Sequence, residues 1–145
     1  MSNDLKSILG SEINGKAGKV SSDIPLSGKV LAFYFSAHWC PPCRNFTPML
    51  KEFYNKIKAM GVEFEIIFVS SDKTQKEFED YFNEMPWLAV PFGDSRIQTI
   101  KDMYEIHGIP TLIFLSPLTG EILSLDGTEI VYEGNENQVL DWCFA

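Results

Sequence analysis

The junction that starts at Val30 constrains this chain more than any other feature. A dense apolar run, Val30-Leu31-Ala32-Phe33-Tyr34-Phe35, leads into Trp39-Cys40-Pro41-Pro42-Cys43 and then directly into a long helical pattern. A run with no polar face reads as a strand buried on both sides, the interior of a sheet covered by helices. Beyond the cysteines, Phe46, Met49, Leu50, Phe53, Tyr54, Ile57 and Met60 recur at helical spacing, with Gly61 as the stop. The cysteine pair therefore sits where a strand hands over to a helix, and Cys40 falls at or beside the helix N-cap. Unpaired backbone N–H groups and the positive end of the helix dipole favour a thiolate there, and the thiolate is the reactive form. Pro41 suits the first helical position, where its missing N–H has no intrahelical use. Pro42 removes a second donor, so the Cys40 sulfur is expected to be held by the N–H groups of Cys43 and Arg44. One helical turn on, Cys43 lies within reach of a disulfide. The roles that follow are Cys40 as the exposed attacking thiolate and Cys43 as the more buried resolving thiol. A client held on Cys40 as a mixed disulfide is then released when Cys43 attacks.

Metal binding is the competing use of two cysteines at this spacing. Zinc takes four ligands, and only Cys143, His38 and His107 remain as soft donors, all outside ligand-pair spacing. The pair thus reads as a redox couple with no metal. Three cysteines in all are too few for a secreted disulfide scaffold. Twenty acidic against twelve basic residues give a net charge of -8, which repels phosphate backbones and anionic membranes. Neither a nucleic acid nor a membrane is therefore expected as a partner. The N-terminus shows no basic segment followed by an apolar one, and no apolar run approaches the ~20 residues needed to span a bilayer. A cytoplasmic location is expected.

The remaining pattern predicts an α/β order within one domain of 145 residues. Leu5, Ile8 and Leu9 mark a short helix, followed by a Gly/Ser-rich passage up to Gly28. Glu63 to Ser70 reads as a second central strand, and Thr74 to Met85 as a helix with Phe78, Tyr81 and Phe82 on one face. Trp87 to Pro91 reads as a short apolar link, and Ser95 to Tyr104 as a helix. Thr111 to Leu115 and Glu121 to Leu125 form a hairpin about Pro117-Leu118-Thr119-Gly120, and Asn135 to Phe144 closes as a helix. Parallel pairing is expected early in the chain and antiparallel pairing late, in a mixed sheet covered on both faces.

The stretch from Phe33 to Arg44 resembles the active-site segment of the tryparedoxin and nucleoredoxin group of the thioredoxin-like superfamily. So do Phe46-Thr47-Pro48, Glu84 to Pro91, and Gly108-Ile109-Pro110-Thr111-Leu112, which together cover about residues 28 to 125. The resemblance implies a thioredoxin-like fold and a dithiol site with no cofactor beyond the Cys40–Cys43 disulfide. It implies a cis peptide bond between Ile109 and Pro110, facing the redox pair, with the Ile109 backbone free to pair with an incoming segment. Trp39 is then a flat wall beside the disulfide, or else a core aromatic. Trp39, Pro41, Pro42, Ile109 and Pro110 are the implied substrate-binding residues. Many thioredoxins bury an acid where this chain has Tyr34, so a water or another group must take the Cys43 proton. Ser70-Ser71-Asp72-Lys73-Thr74 looks more like nucleoredoxin than tryparedoxin, which weakens the case for trypanothione as reductant.

The function implied is a monomeric dithiol carrier that reduces disulfides in protein clients such as peroxidases. A low-molecular dithiol or a flavoprotein reductase recharges it. A redox-switched interaction module of nucleoredoxin type is the alternative. Around the site, His38 either tunes the local charge or is a partly exposed loop residue. His107 reads as structural. Met85-Pro86-Trp87 either borders the site or packs the core. Cys143 is read as a free thiol at the tail, with a third redox centre as its other reading.

Overall fold

A computed structural model describes residues 5–144. In chain order the elements are α1 (Leu5–Leu9), β1 (Glu12–Gly15), β2 (Gly18–Ser21), α2 (Asp23–Leu26), β3 (Val30–Ser36), α3 (Pro41–Lys58) and β4 (Phe64–Ser70). They continue with α4 (Gln75–Phe82), β5 (Leu88–Ala89), α5 (Ser95–Met103), β6 (Thr111–Leu115), β7 (Ile122–Ser124), α6 (Gly127–Tyr132) and α7 (Glu136–Phe144). The strands make one sheet of order β2-β1-β5-β4-β3-β6-β7. β3 pairs in parallel with β4 and β4 with β5, while β6 runs antiparallel to both β3 and β7.

Every residue of β3 is buried, as its apolar run requires. Successive side chains of a strand point to opposite faces, so that run feeds two cores. Val30, Ala32 and Tyr34 join Ile66, Phe68, Leu112 and Phe114 beneath α3, α4, α6 and α7. Leu31, Phe33 and Phe35 join Ile67, Val69, Ile113 and Leu115 beneath α1 and α5. Helix α3 presents Phe46, Leu50, Phe53, Tyr54 and Ile57 to the first core. Met49 and Met60, expected on that face, are exposed, and Thr47 is buried in their stead. Helix α3 ends at Lys58, before Gly61, which follows it at φ +78°.

The N-terminal passage departs from expectation. Residues read as a Gly/Ser-rich connection form the β1–β2 hairpin, whose β1 also pairs with β5. Two glycines make it possible: Gly18 sits at φ +117°, and a Cβ on Gly15 would lie 2.6 Å from Val20 Cγ1. Likewise, Leu88–Ala89, read as a link, is a two-residue strand. Helix α4 begins after Thr74, which accepts from the Glu77 N–H at 3.1 Å while the Glu77 carboxylate takes the Thr74 N–H at 3.2 Å. That reciprocal cap fixes the turn next to the site.

Candidate active site

The end of β3 and the start of α3 bring the two cysteines together as free thiols. Cys40 is the N-cap of α3, with extended backbone angles of φ -96° and ψ 110°. Its sulfur accepts the Cys43 N–H at 3.4 Å. The Arg44 N–H, expected at the same sulfur, donates instead to the Cys40 carbonyl at 3.1 Å, because the helical i to i−4 bond captures it. Cys40 is 6 % exposed and Cys43 fully buried, so the expected order of accessibility holds, but Cys40 is recessed rather than exposed. Burial, and then the hydrogen bond with Cys40, push the Cys43 thiol up to about 11.

Ile109 packs against Ala37, Cys40 and Cys43, and the Ile109–Pro110 peptide bond is cis. Pro41 and Pro42 are exposed at the helix start, and Ile109 and Pro110 are half-buried. Trp39 is 45 % exposed, so it is a surface residue rather than a core aromatic. Its indole N–H donates to the Ser71 carbonyl at 3.0 Å, and the Lys73 ammonium lies 5.0 Å from its ring centre. The neighbouring His38 N–H donates to Asp72 Oδ1 at 2.6 Å, and Ser70 Oγ donates to Asp72 Oδ2 at 2.7 Å. The loop after β4 therefore clamps the loop after β3 at two successive residues. Burial raises the Asp72 carboxyl above the usual carboxylate range.

Truncating Asp72 to alanine leaves the His38 N–H without its acceptor. We expect Asp72→Ala to cost about 1–2 kcal/mol, after allowing for its partial exposure, and Asp72→Asn, which keeps an acceptor, to recover most of it. The urea midpoint of both variants checks this.

Sequence reasoning passed over a buried cluster behind Cys43. Tyr34 and Ser36 project from one face of β3, Thr47 comes from α3, and Tyr81 from α4. Thr47 Oγ1 lies 2.6 Å from the hydroxyls of both Tyr34 and Tyr81, and Ser36 Oγ lies 2.7 Å from that of Tyr81. Part of this was visible as spacing, since Ser36 is two residues beyond Tyr34 and Thr47 four beyond Cys43. Nothing local marked Tyr81.

His38 is half-buried, its ring stacked on Tyr81 at 5.2 Å and its Nε2 4.0 Å from Glu84. His107 is exposed. Met85 and Trp87 are buried in the core, and Cys143 is a buried thiol on α7. Among the described residues, no group of three or more His, Cys, Asp or Glu side chains could hold a metal ion, and no helix is long and apolar enough to cross a membrane.

A family model described as thioredoxin-like matches residues 28–122. The chain belongs to the thioredoxin-like family. Within that family its relatives are oxidoreductases of the nucleoredoxin and tryparedoxin group. It is 40% identical to tryparedoxin of Trypanosoma brucei brucei over 88% of each chain. It is 48% identical to nucleoredoxin of Mus musculus over 89% of this chain and 29% of that protein. The chain thus spans less than a third of the nucleoredoxins it matches. A solved tryparedoxin II, complexed with glutathionylspermidine, superposes at a TM-score of 0.83 with 34% identity, over 97% of this chain and 99% of that chain.

Proposed function

We propose that this thioredoxin-like chain is a dithiol carrier that reduces protein disulfides, with Cys40 attacking and Cys43 resolving. The observation that carries the reading is the graded access at one helix turn. Cys40 caps α3 with 6 % of its surface open, and fully buried Cys43 donates its N–H to the Cys40 sulfur at 3.4 Å. A client can reach only the first sulfur, and the second is close enough to displace it. Trp39, Pro41, Pro42, Ile109 and Pro110 form the proposed docking rim. Ile109 packs against the pair, and its backbone is the proposed place for an extended client segment to add like a short strand.

The proposed partners are protein disulfides, peroxidases among them, on one side, and a low-molecular dithiol or a flavoprotein reductase on the other. A low-molecular thiol built on glutathione is supported by the glutathionylspermidine bound to the related tryparedoxin II. The carrier is proposed to act as a monomer in the cytoplasm.

Reduction of insulin disulfides by dithiothreitol is the test. The wild type is expected to accelerate it strongly, and Cys40→Ser to return it to the rate of dithiothreitol alone. A wild type no faster than dithiothreitol, with both thiols titratable, would refute the carrier reading.

A further inference from the structure

Given that exchange reading, the resolving step poses a problem the cysteine pair does not solve by itself. Cys43 is fully buried and its thiol is held up, yet it must lose a proton to attack. The strand position from which a carboxylate would take that proton carries Tyr34. What backs Cys43 instead is a connected set of hydroxyls, on Tyr34, Ser36, Thr47 and Tyr81, all between 0 % and 4 % exposed, with Tyr34 and Thr47 reaching the Cys43 carbonyl.

Counting protons orders this cluster. A hydroxyl donates once, and Thr47 donates to the Cys43 carbonyl at 3.0 Å. Thr47 must therefore accept from Tyr34 and Tyr81, the two hydroxyls at 2.6 Å. With its proton turned to Thr47, Tyr81 accepts from Ser36 at 2.7 Å, which leaves the Ser36 oxygen able to accept from the Cys43 thiol. Once Cys43 is a thiolate, the Ser36 O–H can turn to the sulfur while the Tyr81 O–H turns to Ser36, and Tyr34 alone satisfies Thr47. Two hydroxyl rotations suffice. No heavy atom moves, and no charge is buried beside the anion.

We propose that Ser36 is the hydrogen-bond donor that stabilises the Cys43 thiolate during resolution, and that Tyr81 is the positioning residue that aims it. The step balances. The Cys43 sulfur bonds to the Cys40 sulfur, the bond from Cys40 to the client sulfur breaks, and the client leaves with the electron pair. The proton given up by Cys43 ends on the client thiol. Both the Ser36 hydroxyl and the Ala37 backbone act to favour the thiolate, against burial and Cys40. The titratable groups facing the cluster are Cys40, Tyr34 and Tyr81, with His38 stacked on Tyr81 and Glu84 beyond it. Neither carboxylate nor ammonium is among the groups that shift Cys43, Tyr34 or Tyr81.

The test is stopped-flow mixing of the reduced full chain, in a Cys143→Ser background, with an aromatic disulfide that releases thionitrobenzoate. A first burst reports attack by Cys40 and a second reports displacement by Cys43. Ser36→Ala is expected to slow the second burst about tenfold at neutral pH and to raise its pH midpoint by about one unit. Tyr81→Phe, which keeps the buried ring, should move the midpoint the same way by less. Ser36→Thr should restore the wild-type profile, and the first burst should be unchanged throughout. A lower plateau with an unmoved midpoint in both variants would overturn the proposal while leaving the exchange reading intact. A wild type with no second burst would overturn the exchange reading itself, and the proposal with it.

Discussion

Cys43→Ser should turn the site from a catalyst into a trap. Mixed with a protein disulfide, the variant is expected to accumulate a client joined covalently to Cys40, visible as a stable mass increase. The size of the effect follows from geometry. In the native chain the resolving sulfur is one helix turn from its target, and reaction within such a held pair runs at an effective concentration of roughly 10⁵ M or more. Removing Cys43 leaves only dissolved thiol to finish the reaction, so release should slow by on the order of a thousandfold or more. Cys43 also answers to pH. Its thiol is held above the ordinary range, chiefly by burial, so at neutral pH it is protonated, and resolution should quicken as pH rises. The same shift has a stability sign. The folded chain favours the protonated thiol, so this contribution is complete below the unfolded thiol's pKa and declines as pH climbs through the folded value.

Trp87→Ala is expected to be the most damaging single truncation in the core, at about 3–5 kcal/mol. The ring is fully buried and packs edge-on against Tyr34 at 6.0 Å and Tyr54 at 5.5 Å. A loss of that size is a large part of the ~5–15 kcal/mol that keeps a domain folded. The indole N–H is itself buried without a hydrogen-bond partner in the structure. Trp87→Phe should therefore cost clearly less than Trp87→Ala, since it removes the orphaned donor and keeps most of the ring. Urea unfolding followed by circular dichroism measures both. Because Trp87 braces Tyr34, the alanine variant should also slow the second thiol burst.

The central elements were readable because their signals are local. Val30 to Phe35 has no polar face, and only a strand between two cores satisfies that. Phe46, Leu50, Phe53 and Ile57 keep one helical stripe, and the prolines after Cys40 mark its first turn. The β1–β2 hairpin was not readable in the same way. Ile13 is the only fully buried residue on its two strands, and its geometry depends on Gly15 approaching Val20. Leu88–Ala89 is a strand only because β4 and β1 flank it. Helix α6 was missed as well. It starts at Gly127, where a Cβ would lie 2.5 Å from the Leu112 carbonyl, a contact that only the folded chain creates.

The site divides along the same line. Cys40, Cys43 and their prolines stand in one short run, and their placement at a helix N-terminus follows from that run. The Arg44 N–H was misassigned because the helical hydrogen-bond ladder outcompetes a sulfur acceptor for it. Asp72 and Tyr81 reach the site from segments more than thirty residues away, and their hydrogen bonds to His38 and Ser36 exist only across the fold. Thr47, in contrast, carried a usable sign, since a threonine four residues after Cys43 can return its hydroxyl to the Cys43 carbonyl.

The most direct test of the account is a peptide map of the wild-type chain after a single turnover. Fully reduced protein is mixed with an equal amount of a protein disulfide and no other reductant, then quenched and alkylated. The expected products are a reduced client, one disulfide linking Cys40 to Cys43, and Cys143 alkylated as a free thiol. A client left attached to the wild type, or a bridge that includes Cys143, would contradict it.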